Sequence, residues 1–569
     1  MSATNKTKSW QLGNTSVRSP FRLRDGLIAL SASPLQGDLR GKEQEEAWRN
    51  LLGEAKIVAL GTDKTFSVGR KWRSALEKLG FLYPEVPKGL NQNELGQLDT
   101  ITPNGWRLIR ADTVPAMQEC FLRALAAYHT PSPQEKKYQF APFSPLKHTL
   151  RVMLALDEKV NDTKLTLNEM ALIVQVSTSA NSISAIVEKI IDLRQRKEGS
   201  GNKRKFESAE RKAAAENLGL EDATLTDYAD LNFRYLKATG LFLTKGKGIA
   251  LAPEKYVFIQ RLVQDENIPT FDLDYYRALC EGARLPTDDK DSALIVLHDL
   301  AAQLKKRGIQ YDLSSKDLTT PHDIGIVRHA LEELISHDNE AKFAKDQATK
   351  LDEITAYIDL ILSQRDKKVL SDGETIEVPK SERPAYLEWI LWRSFLAINQ
   401  LQNKPYESRR FKIDQDFLPV SCAPGGGPDM VFEFDELTLV VEVTLTSSSR
   451  QEAAEGEPVR RHVAAYAEKS TKPVFGLFVA ISIDSNTAHT FRFGDWYLAD
   501  DSKKSLDIVP ITLLDFRNFL IAGTKKLNEM PNRLRQLLIE CRAKANQEAP
   551  QWKNSISAIV KQSNEKMKV

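Results

Sequence analysis

Two acidic side chains stand on neighbouring predicted strands in the C-terminal part of the chain. Asp429 follows the Gly-rich run at 424–428 and begins a short alternating strand, and Glu442 lies in the apolar run at 437–443. The density of Val and Leu around Glu442 is typical of a strand that is buried on both faces. A carboxylate in such a strand is costly to ionise unless a cation compensates it. Because adjacent strands can bring two carboxylates close together, the pair predicts a site for a hard divalent metal with oxygen ligands, Mg²⁺ before Zn²⁺.

The alternative interpretation is a surface hairpin whose acids are all solvated. We expect this for Asp435 and Glu436, which stand in the turn between the two strands, because acidic residues in turns are usually exposed. For Glu442 we expect burial, since an unpaired carboxylate in an apolar strand is rare without a function. Metal-assisted hydrolysis is the chemistry that this arrangement predicts.

The composition describes an ordinary globular chain. It has 569 residues, of which 41% are hydrophobic and 27% charged, so we expect about three domains. No apolar run reaches the roughly 18 residues of a transmembrane helix, and the N-terminus lacks the apolar segment of a secretory signal. The scattered cysteines show no CxxC spacing, which argues against zinc knuckles and predicts a reducing, cytoplasmic location. They are Cys120, Cys280, Cys422 and Cys541.

Arg and Lys side chains cluster at several predicted helix starts and turns in the N-terminal half. Such clusters are usually solvated, but Arg and Lys also bind phosphates, and Arg binds base edges bidentately. Because the formal net charge is only +2, any nucleic-acid surface must be a local patch of this kind. The candidate DNA-binding residues are Arg18, Arg22, Arg24, Lys64, Arg70, Lys71, Arg194, Arg196, Lys203, Arg204, Lys205, Arg234, Lys245 and Lys247.

Two stretches of the N-terminal half predict small helical units. The stretch at 43–110 reads as helix, polar loop and helix, and we interpret Pro-Asn-Gly at 103–105 as the hairpin turn of a winged-helix unit. The stretch at 146–193 predicts two helices around a Ser/Thr/Asn turn, like a helix-turn-helix. The basic run at 194–212 that follows it predicts a mobile loop.

The stretch at 228–255 predicts the clearest winged helix. A helix ends at Gly240, and two short apolar strands then flank Lys-Gly-Lys-Gly, which places Lys245 and Lys247 at the tip of a hairpin. The same shape also serves protein–protein contacts. A long charged helical stretch follows, with a break at Thr-Thr-Pro near Leu318.

The pattern changes to alternating helix and strand after Pro384. An amphipathic helix, the two acid-bearing strands, a polar loop, a helix from about Pro458, an apolar strand and a helical tail follow in order. This is the element order of a nuclease-type mixed sheet. We therefore predict an N-terminal region at 1–285 with subdomains at about 1–115 and 116–285, a helical linker at 286–380 and an α/β domain at 381–569.

The acid-bearing strands carry a recognisable motif. Pro428-Asp429, followed by Glu442-Val443-Thr444, resembles the PD-(D/E)xK nuclease core. SVRSP, FRYLKATGLF, LAPEK, LEW, GGPDM, VEVT and EPVRRH occur in this order along nearly the whole chain. The set is similar to the AlwI / BstNBI family of type IIS restriction and nicking endonucleases. The resemblance implies a multidomain α+β fold, with a mainly helical, winged-helix-rich N-terminal recognition region, a helical linker and a C-terminal α/β nuclease domain with a mixed central sheet.

The resemblance also implies a set of metal-site residues. Asp429 and Glu442 would be metal ligands, and the Val443 carbonyl would be a third. Glu455 completes the implied set together with Glu388, which comes from the preceding helix and binds the metal or a water on it. The alternative for Glu388 is an acid on a helix surface.

Two roles remain open within that set. The lysine of the generic core is replaced by Thr444, so the group that activates water is Glu455, Lys469 or a second metal. His462 is a candidate general acid, and a structural histidine is the alternative.

The implied function is a sequence-specific, Mg²⁺-dependent DNA endonuclease, with Mn²⁺ able to substitute, that cuts a few base pairs outside a short asymmetric site. One nuclease centre cuts one strand, so it is either a nickase or a cutter that needs a transient homodimer, a small partner subunit or a second event. A companion methyltransferase is implied by the resemblance alone.

The alternative is a winged-helix DNA-binding regulator with an inactive nuclease-like domain. The sequence has no GxxxxGK[ST], GxSxG or HExxH motif, which argues against a phosphoryl-transfer ATPase, a serine hydrolase and a zinc protease.

Overall fold

The computed structural model divides the chain into two compact units, Met1–Ile335 and Ser336–Val569. The structure describes residues 9–55, 57–58, 67–132, 135, 140–264, 270–398, 400–447, 449–498, 500–524 and 526–568. Helices predominate, and within these ranges we find no helix with the length and apolar character needed to span a membrane.

The first unit is built mainly from α-helices. They run as α1 Arg22–Ser31, α2 Lys42–Glu54, α3 Ser67–Lys78, α4 Gln92–Leu95, α5 Pro103–Arg110, α6 Val114–Ala127, α7 Pro145–Val160, α8 Leu167–Glu169, α9 Ile183–Glu198, α10 Lys203–Leu218, α11 Asp222–Lys237, α12 Tyr256–Leu262, α13 Leu273–Glu281, α14 Lys290–Lys306 and α15 Pro321–Asp346. A π-helical turn, Met170–Val174, continues α8, and α15 extends across the boundary between the units. The predicted break near Leu318 is confirmed, because α14 ends before it and α15 begins after it.

The hairpin turn predicted at 103–105 is wrong. These residues are the first turn of α5, because the Thr102 side chain accepts the Gly105 N–H and Pro103 occupies the first helical position. A Thr cap followed by Pro is a strong helix start, since the missing Pro N–H would have no partner there in any case. The chain after the second helix of the 43–110 stretch therefore continues as a helix.

A small antiparallel sheet lies next to these helices. Its strands are β1 Leu165–Thr166, β2 Phe242–Thr244 and β3 Gly248–Leu251, in the order β1-β3-β2. The predicted hairpin is confirmed, with Gly246 at its tip in the left-handed region at a φ of +57°. The preceding helix ends at Lys237, and Gly240 continues the turn with a φ of +72°.

Helical segments flank the Ser/Thr/Asn turn as predicted, but the one before it is only the short α8 with its π-helical turn, α7 is an additional helix, and the basic run behind α9 is not a loop. The helix α9 continues to Glu198, and α10 begins after Asn202, whose side chain accepts the Lys205 N–H. Ion pairs between the two helices balance the basic residues, including Lys197 with Glu207 at 2.5 Å. The prediction missed this because it counted the net charge of the run rather than the spacing of its acids.

The second unit combines helices with a mixed sheet. Its helices are α16 Leu351–Ser363, α17 Arg383–Ile398, α18 Arg450–Lys469, α19 Ser485–Phe493, α20 Leu513–Gly523, α21 Met530–Arg542 and α22 Ala549–Lys568. Its strands are β4 Lys367–Val369, β5 Thr375–Glu377, β6 Lys412–Ile413, β7 Pro419–Ser421, β8 Met430–Glu433, β9 Thr438–Thr444, β10 Val474–Ala480, β11 Asp495–Tyr497, β12 Lys503–Ser505 and β13 Asp507–Thr512.

The central sheet has four strands in the order β13-β10-β9-β8. The pair β8 and β9 is antiparallel, whereas β10 is parallel to both β9 and β13. The predicted mixed sheet is therefore confirmed. Leu439, Val440 and Val441 of β9 have no exposed surface, as expected for a strand covered on both faces.

Two helices of this unit differ from the prediction. The helix α17 is not amphipathic, because every residue from Ala385 to Ile398 is buried. The helix α18 begins at Arg450, and Pro458 lies inside it rather than at its start. Glu455, predicted in a polar loop, is therefore fixed on a helix. Asp435 and Glu436 are exposed in the turn, as predicted.

Candidate active site

The acidic candidates of the second unit lie on elements that pack around the start of β8. Asp429 directly precedes β8, and its Oδ2 accepts the Val443 N–H of β9 at 2.9 Å. The antiparallel register of the two strands thus brings Asp429 next to Glu442. Burial, followed by the negative charge of Glu442, raises the pKa of Asp429 well above its usual range.

Glu442 is bonded to a histidine. Its Oε1 lies 2.5 Å from His462 Nδ1, and the two residues are only 7% and 8% exposed. Burial and the charge of Glu455 raise the pKa of Glu442 to about 8. Burial, followed by Arg461 and Arg410, lowers the pKa of His462. Both groups are thereby driven toward their neutral forms.

The second ring nitrogen of His462 differs from Nδ1 in its hydrogen bonding. Its Nε2 is buried and has no hydrogen-bond partner among the described residues. Because a buried unpaired nitrogen costs free energy, this atom is expected to serve a ligand or a reaction. The geometry leaves both the general-acid and the structural role of His462 open.

Glu388 is not an acid on a helix surface. It is 6% exposed on the buried helix α17, and its Oε2 accepts the Ala423 N–H at 2.7 Å. Burial, followed by the charge of Asp429, raises its pKa well above the usual range. Glu388 therefore belongs to the same acid cluster as Asp429.

Glu455 lies on α18 seven residues, or about two helical turns, before His462. It is partly buried, and its charge raises the pKa of both Asp429 and Glu442. We call Glu388, Asp429, Glu442 and Glu455 the acid cluster. Burial and the charges of neighbouring members raise the pKa values of Glu388, Asp429 and Glu442.

The donor set of the acid cluster fits a hard divalent cation. It consists of carboxylate oxygens, which Mg²⁺ prefers, and a cation would offset the mutual repulsion that raises their pKa values. Within the described ranges, no three His, Cys, Asp or Glu side chains are arranged to hold a metal ion together. Glu388, Asp429 and Glu442 each use one carboxylate oxygen in a hydrogen bond to a protein group.

The residues considered for water activation are placed very differently. Thr444 is 9% exposed, and its hydroxyl accepts the Thr446 N–H at 3.2 Å, so it brings no charge to the cluster. Lys469 is exposed at the last residue of α18, about 21 Å along the helix from Glu455 at 1.5 Å per residue. Of these residues, only Glu455 lies within the cluster.

A basic residue that was not among the sequence-predicted candidates, Arg410, also lies at this site. The Arg410 N–H donates to the Asp429 carbonyl at 3.2 Å, and its guanidinium donates to the carbonyls of Pro428 and Gly425. Its charge acts to lower the pKa of Glu442. The available signal was the Arg-Arg pair at 409–410, eighteen residues before Pro428, but sequence alone does not tell which arginine of a pair faces a site.

Most basic candidates of the first unit are bonded to nearby groups. Arg24 donates to the Leu108 and Ile109 carbonyls and so completes the end of α5. The others of this kind form ion pairs. They are Arg18 with Asp230, Arg22 with Asp25, Arg194 with Glu169, Arg196 with Glu210, Lys203 with Glu198, Arg234 with Asp230 and Lys245 with Asp162.

The remaining candidates form no ion pair with any residue that the structure describes. Arg70 lies exposed on α3 with Lys71 beside it, Arg204 and Lys205 are exposed at the start of α10, and Lys247 is exposed at the hairpin tip. Lys64 lies outside the described residues. Some of these pairs, such as Arg18 with Asp230, join distant segments and have no local signature in the sequence, whereas others, such as Arg234 with Asp230, lie within one helix.

The family model for the AlwI restriction endonuclease matches residues 77–519, which is well over half of the chain. The chain belongs to the AlwI restriction endonuclease family. It is therefore a type II site-specific deoxyribonuclease, a DNA-binding hydrolase of the type IIS restriction class. The family predicted from the motifs is confirmed.

Solved structures similar to this AlwI-family chain are also restriction endonucleases or parts of them. The small subunit R.BspD6I2 of the heterodimeric restriction endonuclease R.BspD6I is 22% identical, with 37% of this chain and 98% of that chain covered and a TM-score of 0.29. The BpuJ1 endonuclease binding domain, in complex with modified DNA, is 14% identical, with coverages of 42% and 85% and a TM-score of 0.29. The restriction endonuclease FokI is 12% identical, with coverages of 90% and 96% and a TM-score of 0.24. Comparison with curated proteins gives no match.

Proposed function

We propose that this restriction endonuclease is Mg²⁺-dependent and hydrolyses phosphodiester bonds a few base pairs outside a short asymmetric recognition site. The supporting observation is the acid cluster, in which Asp429 and Glu442 lie on paired strands and Glu388 and Glu455 come from the helices beside them. Burying Glu388, Asp429 and Glu442 side by side, with the pKa of each raised, is unfavourable for a purely structural role.

The cluster also supports an assignment of ligands. Asp429, Glu442 and the Val443 carbonyl would hold Mg²⁺, with Glu388 and Glu455 as further ligands, and Mn²⁺ is expected to substitute because it prefers the same oxygen donors. A divalent cation bound there supplies Lewis acidity to the phosphoryl oxygens and favours ionisation of the attacking water. The chain's own residues provide the remaining functions.

Glu455 accepts the proton of the attacking water, because it is the water-activation candidate that lies within the cluster. His462 donates the proton of Nε2 to the leaving oxygen as the bond to phosphorus breaks, while its Nδ1 bond to Glu442 fixes the ring orientation. Asp429 is itself fixed by the Val443 N–H. This set of hydrogen bonds preorganises the site before DNA binds.

We further propose that the N-terminal region at 1–285 reads the DNA, that residues 286–380 link it to the nuclease domain at 381–569, and that the enzyme acts in the cytoplasm. The β1-β3-β2 sheet and its hairpin support a winged-helix module, because a three-stranded antiparallel sheet behind a helical pair is the form of that module.

Double-stranded DNA is the substrate. One centre cuts one strand, so double-strand cleavage requires a transient homodimer or a small partner subunit, and a companion methyltransferase would protect the host.

The test is incubation of supercoiled plasmid in Mg²⁺ and in EDTA, followed by run-off sequencing of both strands. We expect a Mg²⁺-dependent product at a fixed offset from one asymmetric sequence. Open-circular product would indicate a nickase, and linear product a double-strand cutter. Intact plasmid with every divalent metal, together with sequence-specific retardation on a gel, would instead identify a DNA-binding regulator with an inactive nuclease-like domain.

A further inference from the structure

The guanidinium of Arg410 lies beside the acid cluster without an ion pair to any residue that the structure describes. Its main-chain N–H bond to Asp429 fixes the two residues side by side, at 3.2 Å between N and O. The side chain donates to the Pro428 carbonyl at 3.4 Å and the Gly425 carbonyl at 3.3 Å. These are long hydrogen bonds to neutral acceptors, so the positive charge of Arg410 is not balanced.

The neighbouring arginine has the opposite arrangement. Arg409 donates to both carboxylate oxygens of Glu340, at 2.8 Å and 2.7 Å, which is the bidentate geometry of a structural ion pair. Within one Arg-Arg pair, therefore, one charge is neutralised and the other is left available. A partly buried cation with no counter-ion is unfavourable unless an anion is brought to it.

The Gly-rich turn makes room for this guanidinium. A Cβ atom at Gly427 would lie 2.4 Å from Arg410 Nη1, so any side chain at 427 would displace the head group. The motif that delivers Asp429 to the acid cluster thus also sets the position of Arg410. Since only the head group must shift, a methyl at 427 perturbs the guanidinium without removing its charge.

The charge of Arg410 acts on the same side chains that would surround a scissile phosphate. It acts to lower the pKa of both Glu442 and His462, which places it within electrostatic reach of the pair. Thr444 brings no cation to the cluster, although it occupies the position of the core lysine. Arg461 also acts on His462 but pairs with Glu457 at 2.9 Å, so among the described residues whose charges act on this pair, Arg410 is the cation without an ion pair.

We propose that Arg410 binds a non-bridging oxygen of the phosphate that is hydrolysed and stabilises the charge that develops there, in place of the missing core lysine. The proposal rests on the proposed endonuclease function. Guanidinium groups match phosphate oxygens geometrically and bind them bidentately. During hydrolysis the water oxygen bonds to phosphorus and gives its proton to Glu455, and the bond to the leaving oxygen breaks as that oxygen takes a proton from His462. The arginine keeps all its protons.

The first experiment measures single-turnover cleavage of a cognate duplex in Mg²⁺ by Arg410→Ala and Arg410→Lys. Loss of one preorganised donor to a developing negative charge costs about 10²- to 10³-fold in rate, so we expect that loss for alanine and a smaller one for lysine. Binding of the same duplex should change only a few-fold. The matched control is Arg535→Ala, because Arg535 is an exposed arginine of the same unit that pairs with Glu436 at 2.8 Å.

The second experiment separates contact with the phosphate from a structural effect. Sulfur is placed at either non-bridging oxygen of the scissile phosphate, and its effect on rate is compared between the wild type and Arg410→Lys. Contact predicts that sulfur at one of the two positions slows the wild type more than the variant. The proposal would be overturned if sulfur at each of the two positions slowed the wild type and Arg410→Lys by the same factor. It would also be overturned if Arg410→Ala cleaved as fast as the wild type.

Gly427→Ala covers the case in which Arg410→Ala does not fold. It keeps the charge, displaces the guanidinium, and should slow cleavage with little change in binding; an unchanged rate would also contradict the proposal.

A wild-type protein that cuts no DNA in Mg²⁺ would refute the proposed function itself. Cleavage by the wild type that is insensitive to Arg410 would refute only this inference.

Discussion

His462 Nδ1 lies 2.5 Å from Glu442 Oε1, and both side chains are almost completely buried. This bond joins the helix α18 to the strand β9 and fixes the orientation of the imidazole ring. It leaves Nε2 as the ring atom available for chemistry. The structural role of His462 therefore depends on Nδ1, and its role as a general acid depends on Nε2.

His462→Asn keeps a polar group near the position of Nδ1 but removes Nε2. If Nε2 serves the leaving oxygen, single-turnover cleavage should fall by about 10²-fold or more, while the protein stays folded and binds its site normally. His462→Ala should in addition cost about 1–3 kcal/mol of stability, because it removes the partner of buried Glu442. Wild-type cleavage by His462→Asn would assign the histidine a structural role.

The raised pKa of Glu442 makes the stability of the metal-free protein depend on pH. Between the ordinary value of 4.5 and about 8, the folded state binds more protons than the unfolded state. The free energy of unfolding in EDTA should therefore fall as the pH rises through this window. Excess Mg²⁺ should reverse the fall, since a bound cation favours the ionised acids.

Glu442→Gln provides the matched variant for the pH measurement. It keeps the size of the side chain but cannot ionise, so its melting temperature in EDTA should change less with pH than that of the wild type. It should also lose most of the stabilisation by Mg²⁺. Identical pH profiles for the two proteins would show that Glu442 ionises normally in the folded state.

The sequence predicts the parts of this site that follow from local patterns, and it does not predict the parts that depend on contacts between residues distant in the chain. Asp429 and Glu442 were found because strand periodicity is local, and the paired strands followed from the same pattern. Glu455 was expected in a loop because Pro458 suggested a helix start, whereas tertiary packing extends α18 to Arg450. The position of Arg410 depends on a pairing with Asp429 that no local pattern encodes.

The basic residues of the first unit show the same limit. Net charge suggested a mobile loop at 194–212, but the acids interspersed there pair with the basic residues across two helices. Arg24 was considered for DNA contact from its type alone, yet its partners are main-chain carbonyls more than eighty positions away in the chain. Charge type is visible in a sequence, and partner choice is not.

Asp429→Asn should reduce cleavage by at least about 10²-fold, because it removes an anionic oxygen from the acid cluster. Specific binding, measured with and without Mg²⁺, should remain within a few-fold of the wild type. Asp435→Asn is the control, since Asp435 is an exposed acid in the turn after the same strand. Loss of binding in step with cleavage would place Asp429 in the DNA-reading surface and contradict its assignment to the metal site.

The hairpin tip offers a test of DNA contact in the first unit. Lys245 is paired with Asp162 at 3.0 Å, whereas Lys247 is exposed and forms no ion pair with the described residues. If the tip contacts phosphate, Lys247→Ala should lower the slope of log affinity against log salt by about 1, and Lys245→Ala by less. The measurement is fluorescence anisotropy of a cognate duplex across a salt series in Ca²⁺. An unchanged slope in the double variant would show that the hairpin has a structural role only.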